Sequence, residues 1–339
     1  MVENNFNKLL FHPSFKSTIQ EIEKLNIRLP EHPVEQTVDF DAFKFPPTGN
    51  SIIQIEENSK FKMDSNLGSN EINKYKSICA YDESIDKFES LEGTAFITSH
   101  SIVLLGEKDF IPSNLLSFNF YTKAKILLDN TSYIKYSDDP ELSSKRDYIE
   151  DRQKFLLNNI PNKSLLLIDG PLVGGQMTSY TLKLTKQLLK KEIIPIFFVK
   201  NSSGNLVTTY TPTLKDKYNS DMHWSYKFLK EGERTCLYKY QDTHNKTIAK
   251  IFCYLKPFNI SPQRIEFDLD TFQFIKKDIN NLFNLIYYFL IVQGDLKNPQ
   301  VRPIAIAEKF ARATIKTIET QKMMRNIGLV PTMNEERFG

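Results

Sequence analysis

The chain has few cysteines: Cys79, Cys236 and Cys253 are the only three in 339 residues. They are scattered, and none sits in a Cys-x-x-Cys pair, which argues against a disulfide scaffold, a zinc site and thioredoxin-type exchange. It also lacks an excess of either charge. Lys and Arg number 44 against 41 Asp and Glu, a formal charge of +3. Any surface for polyanions must therefore come from local clustering, not from net charge. The opening stretch, MVENNFNKLLFHPSF, has no apolar core of the signal-peptide kind. The most apolar late run, INNLFNLIYYFLIVQG, is broken by asparagines and is too short to cross a bilayer comfortably. These absences predict a cytoplasmic protein with no membrane association. No internal repeat or long low-complexity tract occurs. GPLVGGQ lacks the Gly-Lys-Ser/Thr ending of a phosphate-binding loop. What remains, 40% hydrophobic and 25% charged residues, is the composition of an ordinary globular chain.

Residues 1–70 read as an N-terminal arm or docking segment. FKSTIQEIEKLNIRL has helical spacing, with Ile19, Ile22 and Leu25 on one side, and PEHPVEQTVDFDAFKFPPTGN reads as extended surface chain. Beyond residue 75 the pattern becomes regular. SICAYDES, GTAFITS and SIVLLGE predict three short strands in an antiparallel meander. SDDPELSSKRDYIEDRQKFLLNN predicts a helix with Tyr148, Phe155 and Leu156 as apolar positions. SLLLID, then TSYTLKLTKQLLKKE, then IIPIFFVK read as strand, helix, strand, so the two strands should be parallel. A second half follows: a short helix in SDMHWSYKFLKEGER, strands in TCLYKYQ, IAKIFCYLK and QRIEFDL, and two C-terminal helices, KKDINNLFNLIYYFLIVQG and RPIAIAEKFARATIKTIETQKMMRN. Residues 331–339 form a tail.

SLLLIDG poses the sharpest chemical question. Four apolar residues run directly into Asp169, and a carboxylate at the end of a buried strand is costly unless something compensates it. Three antiparallel strands, a helix, a strand, a helix and a strand resemble the ribonuclease H-like fold. The fold expected is therefore an α/β ribonuclease H-like mixed sheet with flanking helices and an additional C-terminal strand and helix portion. That resemblance implies acids on the first strand, the first helix, the fourth strand and a late helix converging on divalent metals. Those places hold Asp82, Glu150, Asp169 and Glu308. Carboxylates suit the task because Mg²⁺ and Mn²⁺ are hard cations that prefer oxygen.

The same segments resemble the NurA-type nucleases of DNA end processing. ICAYDES is similar to the family's strand ending in Asp-Gly-Ser, with Glu83 in place of Gly. LLLIDGPL resembles its strand ending in Asp-Gly-Ser-Leu, with Pro171 in place of Ser. IIPIFFVKNS, DMHWSYKFLKEGERT, FCYLKPFNISPQRIEFD and RPIAIAEKFARAT resemble later motifs in order, over roughly residues 75–325. The closing helix carries Glu308 where the family often has His. The resemblance implies a nuclease domain over residues 71–330 that uses Mn²⁺ or Mg²⁺ and a two-metal mechanism on DNA. It implies metal ligands at Asp82, Glu150 and Asp169, with Glu308 as a further catalytic and metal-binding candidate. It also implies a homodimer working with a HerA-like hexameric ATPase, in DNA end processing or in defence against foreign DNA. The alternative is a catalytically weak NurA-like subunit that binds DNA and the ATPase as a structural partner.

Each acid also has a plainer reading. Asp169 would cap the turn that follows it, and Asp82 would sit in a surface turn. Glu150 would join Asp147 and Asp151 on a solvated face. Glu308 would pair with Lys309 or Arg312 on an exposed helix. Glu233 and Arg234 read as a structural salt bridge. Arg264 and Glu266 read equally well as strand-surface charges. His223 reads as packing at a helix start. Arg302, Lys309, Arg312, Lys316, Lys322 and Arg325 read as a solvated basic face or as contacts for DNA phosphates.

Overall fold

Backbone pairing joins the strands among the described residues into a single large sheet. The computed structural model describes residues 50–105, 110–124, 134–174, 178–242, 245–293, 299–326 and 328–333. The segment with Ile19, Ile22 and Leu25, Gly175, and most of the tail lie outside the described residues. The strands are β1 (Asn50–Gln54), β2 (Lys60–Lys62), β3 (Ser77–Glu89), β4 (Thr94–Leu105), β5 (Phe110–Thr122), β6 (Ile134–Tyr136), β7 (Ser164–Asp169), β8 (Ile194–Val199), β9 (Glu233–Thr235), β10 (Tyr238–Asp242), β11 (Ala249–Lys256) and β12 (Gln263–Phe267). The helices are α1 (Ser65–Asn70), α2 (Pro140–Asn159), α3 (Thr178–Leu189), α4 (Leu206–Tyr210), α5 (Asp221–Phe228), α6 (Leu269–Ile275), α7 (Ile279–Gln293), α8 (Arg302–Lys316) and α9 (Thr320–Asn326).

Strand order is β1-β10-β11-β12-β8-β7-β3-β4-β5-β6, with β9 pairing β11 and β2 pairing β9. Within it, β5-β4-β3-β7-β8 has the ribonuclease H-like arrangement. The meander β3-β4-β5 is antiparallel, and β7 and β8 run parallel to β3. The C-terminal strands extend the sheet through the antiparallel pairs β8·β12 and β11·β12.

Two details of the meander depart from the sequence reading. GTAFITS and SIVLLGE are one strand, β4, not two. The polar trio Ser99, His100 and Ser101 at its middle looks like a turn, yet all three are fully buried. The third strand is FIPSNLLSFNFYT, whose Pro112 and Asn114 hide its periodicity. The chain from Asn50 onward also joins the sheet, since β1 pairs β10 and β2 pairs β9. Helix α1 then presses on α7, and a Cβ at Gly68 would meet the Asn284 carbonyl oxygen at 2.0 Å. Glycine is required there by close approach, not by an unusual φ.

The sheet is covered on both faces. Side chains alternate along a strand, so odd and even positions of β7 belong to different cores. Leu165 and Leu167, with Ile78 and Ala80 of β3, pack under α6, α7 and α8. Leu166 and Ile168, with Cys79 and Tyr81, pack under α2 and α3. Burial on both sides explains the unbroken apolar run of β7. Each of its four fully buried Leu and Ile side chains contributes roughly 1.5–3 kcal/mol.

Candidate active site

Asp169 continues the series Leu165, Leu167, and Asp82 continues Ile78, Ala80, so both carboxylates leave the sheet on the face that carries α8. The parallel register pairs Tyr81 with Ile168, which sets Asp82 and Asp169 at adjacent strand positions. Helix α8 lies on that face through Ile304, Ala307 and Ala311, which are buried. Glu308 follows Ala307 and reaches the two aspartates from above. One carboxylate oxygen from each of Asp82, Asp169 and Glu308 lies within 4.8 Å of the others. Small residues allow this close approach, with Ala80 buried on β3 and Ser99 and Ser101 buried on β4 beside it.

The cluster contains its own cation. Lys200 follows the last residue of β8, and its Nζ lies 2.5 Å from Asp169 Oδ2 and 3.0 Å from Glu308 Oε2. Gln300 Nε2 donates to Glu308 Oε2 at 2.7 Å, and Arg312 pairs with Glu308 Oε1 at 2.5 Å. Asp82 accepts the Glu83 backbone N–H at 2.8 Å and forms no salt bridge among the described residues. The three acids are tuned apart as a result. Burial, with the Asp169 and Glu83 charges adding to it, pushes the Asp82 carboxyl up to about 7. Burial also raises Asp169, against the pull of Lys200. Burial works to raise Glu308 as well, but the Gln300 and Lys200 hydrogen bonds and the Lys200 and Arg312 charges hold it below the ordinary carboxylate range.

This donor set fits a hard divalent cation. It is all oxygen and anionic, and it is held by two strands and a helix. Asp82 is 8% exposed and has no cation of its own, a strain that a bound ion would relieve. The acid at the end of an apolar strand in SLLLID is thereby explained, since Asp169 faces a cation instead of capping a turn.

Glu150 does not join the cluster. Its helix lies on the opposite face of the sheet, where Phe155 and Leu156 enter the core under which α2 and α3 pack. Ile149 points inward, so Glu150 points out; its side chain is 68% exposed and lies 3.7 Å from Lys154. The groups that α2 does bring to the back of β3 are Tyr148, whose hydroxyl donates to Glu83 Oε1 at 2.6 Å, and Arg152, stacked over Tyr81.

Other charged residues also have different partners from those the sequence implied. Arg234 is 1% exposed and forks onto Glu56, while Glu233 faces Lys60 at 3.6 Å. Arg264 and Glu266 are buried, not on the strand surface. Glu266 accepts from Lys250 at 2.6 Å, its carboxylate pairs with the Arg264 charge at 2.7 Å, and it accepts from the Leu172 N–H at 2.8 Å. That last bond ties the turn after Asp169 to β12. His223 packs edge-on against Tyr218 at the start of α5. Arg302, Lys309, Arg312, Lys316, Lys322 and Arg325 are all exposed.

Sequence reasoning missed Lys200 and Gln300. The signal for Lys200 was present: IIPIFFVK is a buried apolar strand running into a charge, the same pattern that marked Asp169. Gln300 carried no local signal.

The fold and the carboxylate cluster define an α/β protein of the ribonuclease H-like class, with three acids whose oxygens lie close enough together to hold a metal ion. A profile of the NurA domain matches residues 84–312, and the chain belongs to the NurA nuclease family. No curated protein matches it. Among solved structures, the NurA nuclease from Sulfolobus solfataricus is similar at 12% identity, over 78% of this chain and 93% of that one, with a TM-score of 0.50. A NurA structure with manganese aligns at 9% identity over 76% of this chain and 92% of its own, TM-score 0.35. An endonuclease V from Ciona intestinalis in complex with DNA aligns at 15% identity over 76% and 96%, TM-score 0.38.

Proposed function

We propose that this chain is a divalent-metal-dependent deoxyribonuclease that hydrolyses phosphodiester bonds with two metal ions, Mn²⁺ or Mg²⁺. The observation that carries the reading is the convergence of Asp82, Asp169 and Glu308 within 4.8 Å in a NurA-family chain. When bound, the ions would polarise the phosphodiester and lower the pKa of the attacking water. Asp82 and Asp169 would hold them from the sheet, and Glu308 from the helix. Glu308 supplies an oxygen where the family often has an imidazole, so it contributes charge and coordination but no imidazole acid at neutral pH. The exposed basic face along α8 and α9 would meet backbone phosphates, adding salt dependence with each contact.

The partners proposed with this activity are DNA, a second copy of the chain and a HerA-like hexameric ATPase, in a cytoplasmic role in end processing or defence. No described helix is long and apolar enough to cross a membrane. A catalytically weak subunit that binds DNA and the ATPase is the second reading. It is favoured by the absence of an α2 acid from the cluster and by the two contacts Lys200 makes to it. Cleavage of labelled DNA by wild type and Asp169→Asn across a Mn²⁺ series tests both. Activity in wild type and none in the variant supports the nuclease. DNA binding without cleavage by wild type supports the structural subunit.

A further inference from the structure

The acids of the cluster are accounted for by metal binding, but Lys200 is not. A metal ion and an ammonium compete for the same carboxylate lone pairs. Lys200 Nζ holds Asp169 Oδ2 at 2.5 Å and Glu308 Oε2 at 3.0 Å, two of the three donors on which the site depends. It is built into place. β8 is buried along its whole length, and Phe198, two residues before Lys200, packs in the same core as Leu167 and Ala307. The lysine therefore leaves the strand on the α8 face, beside the acids. Its side chain is 29% exposed, so solvent reaches part of it. A flexible four-carbon stem lets such a head group swing, as a rigid guanidinium fork would not.

Resting on the nuclease reading, we propose that Lys200 is an exchangeable cation: it neutralises Asp169 and Glu308 while the site holds no metal, and moves to a phosphate oxygen of DNA when a divalent ion takes those carboxylates. Three clustered carboxylates without a counter-charge would repel one another in the folded chain. Lys200 offsets this before metal arrives, with Arg312 assisting from a position 66% exposed. Metal entry makes the ammonium redundant at the carboxylates. A compact ammonium then serves as a phosphate ligand. The positive charge stays in the site throughout and only its partner changes.

The test uses the full chain with Lys200→Met, which keeps length and removes charge, and Lys200→Gln in case the first fails to fold. Mn²⁺ affinity is read by calorimetry without DNA. Affinity for a DNA duplex is read in Ca²⁺, the ion used as a metal probe, over a range of salt. Loss of the competing charge should tighten Mn²⁺ binding about tenfold, the size of one charge-assisted hydrogen bond. Loss of one phosphate contact should weaken DNA binding and lower the salt slope by about 0.9. Unchanged or weaker Mn²⁺ binding overturns the proposal, and so does tighter Mn²⁺ binding with an unchanged DNA salt slope. A wild type that binds no Mn²⁺ removes the metal-site reading itself, and this proposal with it. That result is distinct from a wild type that binds Mn²⁺ no differently from the variants.

Discussion

Asp82 and Asp169 stand side by side on neighbouring parallel strands, one step beyond the Tyr81–Ile168 pair. Their mutual repulsion is greatest when the site holds no metal. Asp82→Asn removes the less compensated of the two charges. In a chelator the variant should be about 1–3 kcal/mol more stable than wild type and so melt higher, and it should lose the Mn²⁺-induced rise in melting temperature. Thermal melts with and without Mn²⁺ read both effects; a variant that melts lower in chelator contradicts the burial argument.

Glu150 and Glu308 should separate cleanly. Glu150→Ala removes an exposed i,i+4 partner of Lys154 and should cost about 0.5 kcal/mol or less, with cleavage unchanged. Glu308→Ala should lower activity strongly, with partial recovery at high Mn²⁺, and Glu308→His should retain part of it. The measurement is cleavage rate against metal concentration. Superimposable curves for wild type, Ala and His would remove Glu308 from the site.

Glu266 is fully buried between two cations, Lys250 and Arg264. Although burial alone would raise its carboxyl, those charges hold it below the usual range. Glu266→Ala leaves both cations unpaired and should cost about 3–5 kcal/mol in denaturant unfolding. It also frees the Leu172 N–H, loosening the turn after Asp169. A loss under 1 kcal/mol would mean that water reaches the network.

His100 is buried, with its Nδ1 2.7 Å from the Tyr81 hydroxyl and its ring stacked on Tyr148. Burial, helped by the Arg152 charge, lowers it from 6.5 to about 4. The unfolded chain therefore takes up this proton before the folded one does. Stability from His100 is complete above pH 6.5 and is lost as pH falls toward 4, on the order of 3 kcal/mol in total. His100→Gln should flatten the acid side of the melting curve between those values. Parallel pH profiles for wild type and variant would show that the histidine does not titrate in this window.

Much of this was legible in the sequence. SLLLID announces a buried strand that ends in an acid, because an apolar run covered on both faces needs no polar alternation and the charge can only be at its rim. ICAYD announces a second buried strand, but β3 continues through Asp82 to Glu89, so that acid lies mid-strand and not at the strand's end. The βαβ spacing fixed β7 and β8 as parallel. The meander was legible only in part, because the buried Ser99–His100–Ser101 imitates a turn and β5 carries Pro112 and Asn114.

The alternation along β3 and β7 determined that Asp82 shares a face with Ile78 and Ala80, and Asp169 with Leu165 and Leu167. It did not determine which helix covers that face. Only the tertiary structure put α8 there and α2 behind, which admits Glu308 and turns Glu150 out to solvent. The cation came the same way: Lys200 and Glu308 are 108 positions apart, and no local pattern specifies a contact of that span. Periodicity is a property of one segment and its own backbone. The pairing of charges depends on how separate segments stack, and that is decided by burying all their apolar faces together.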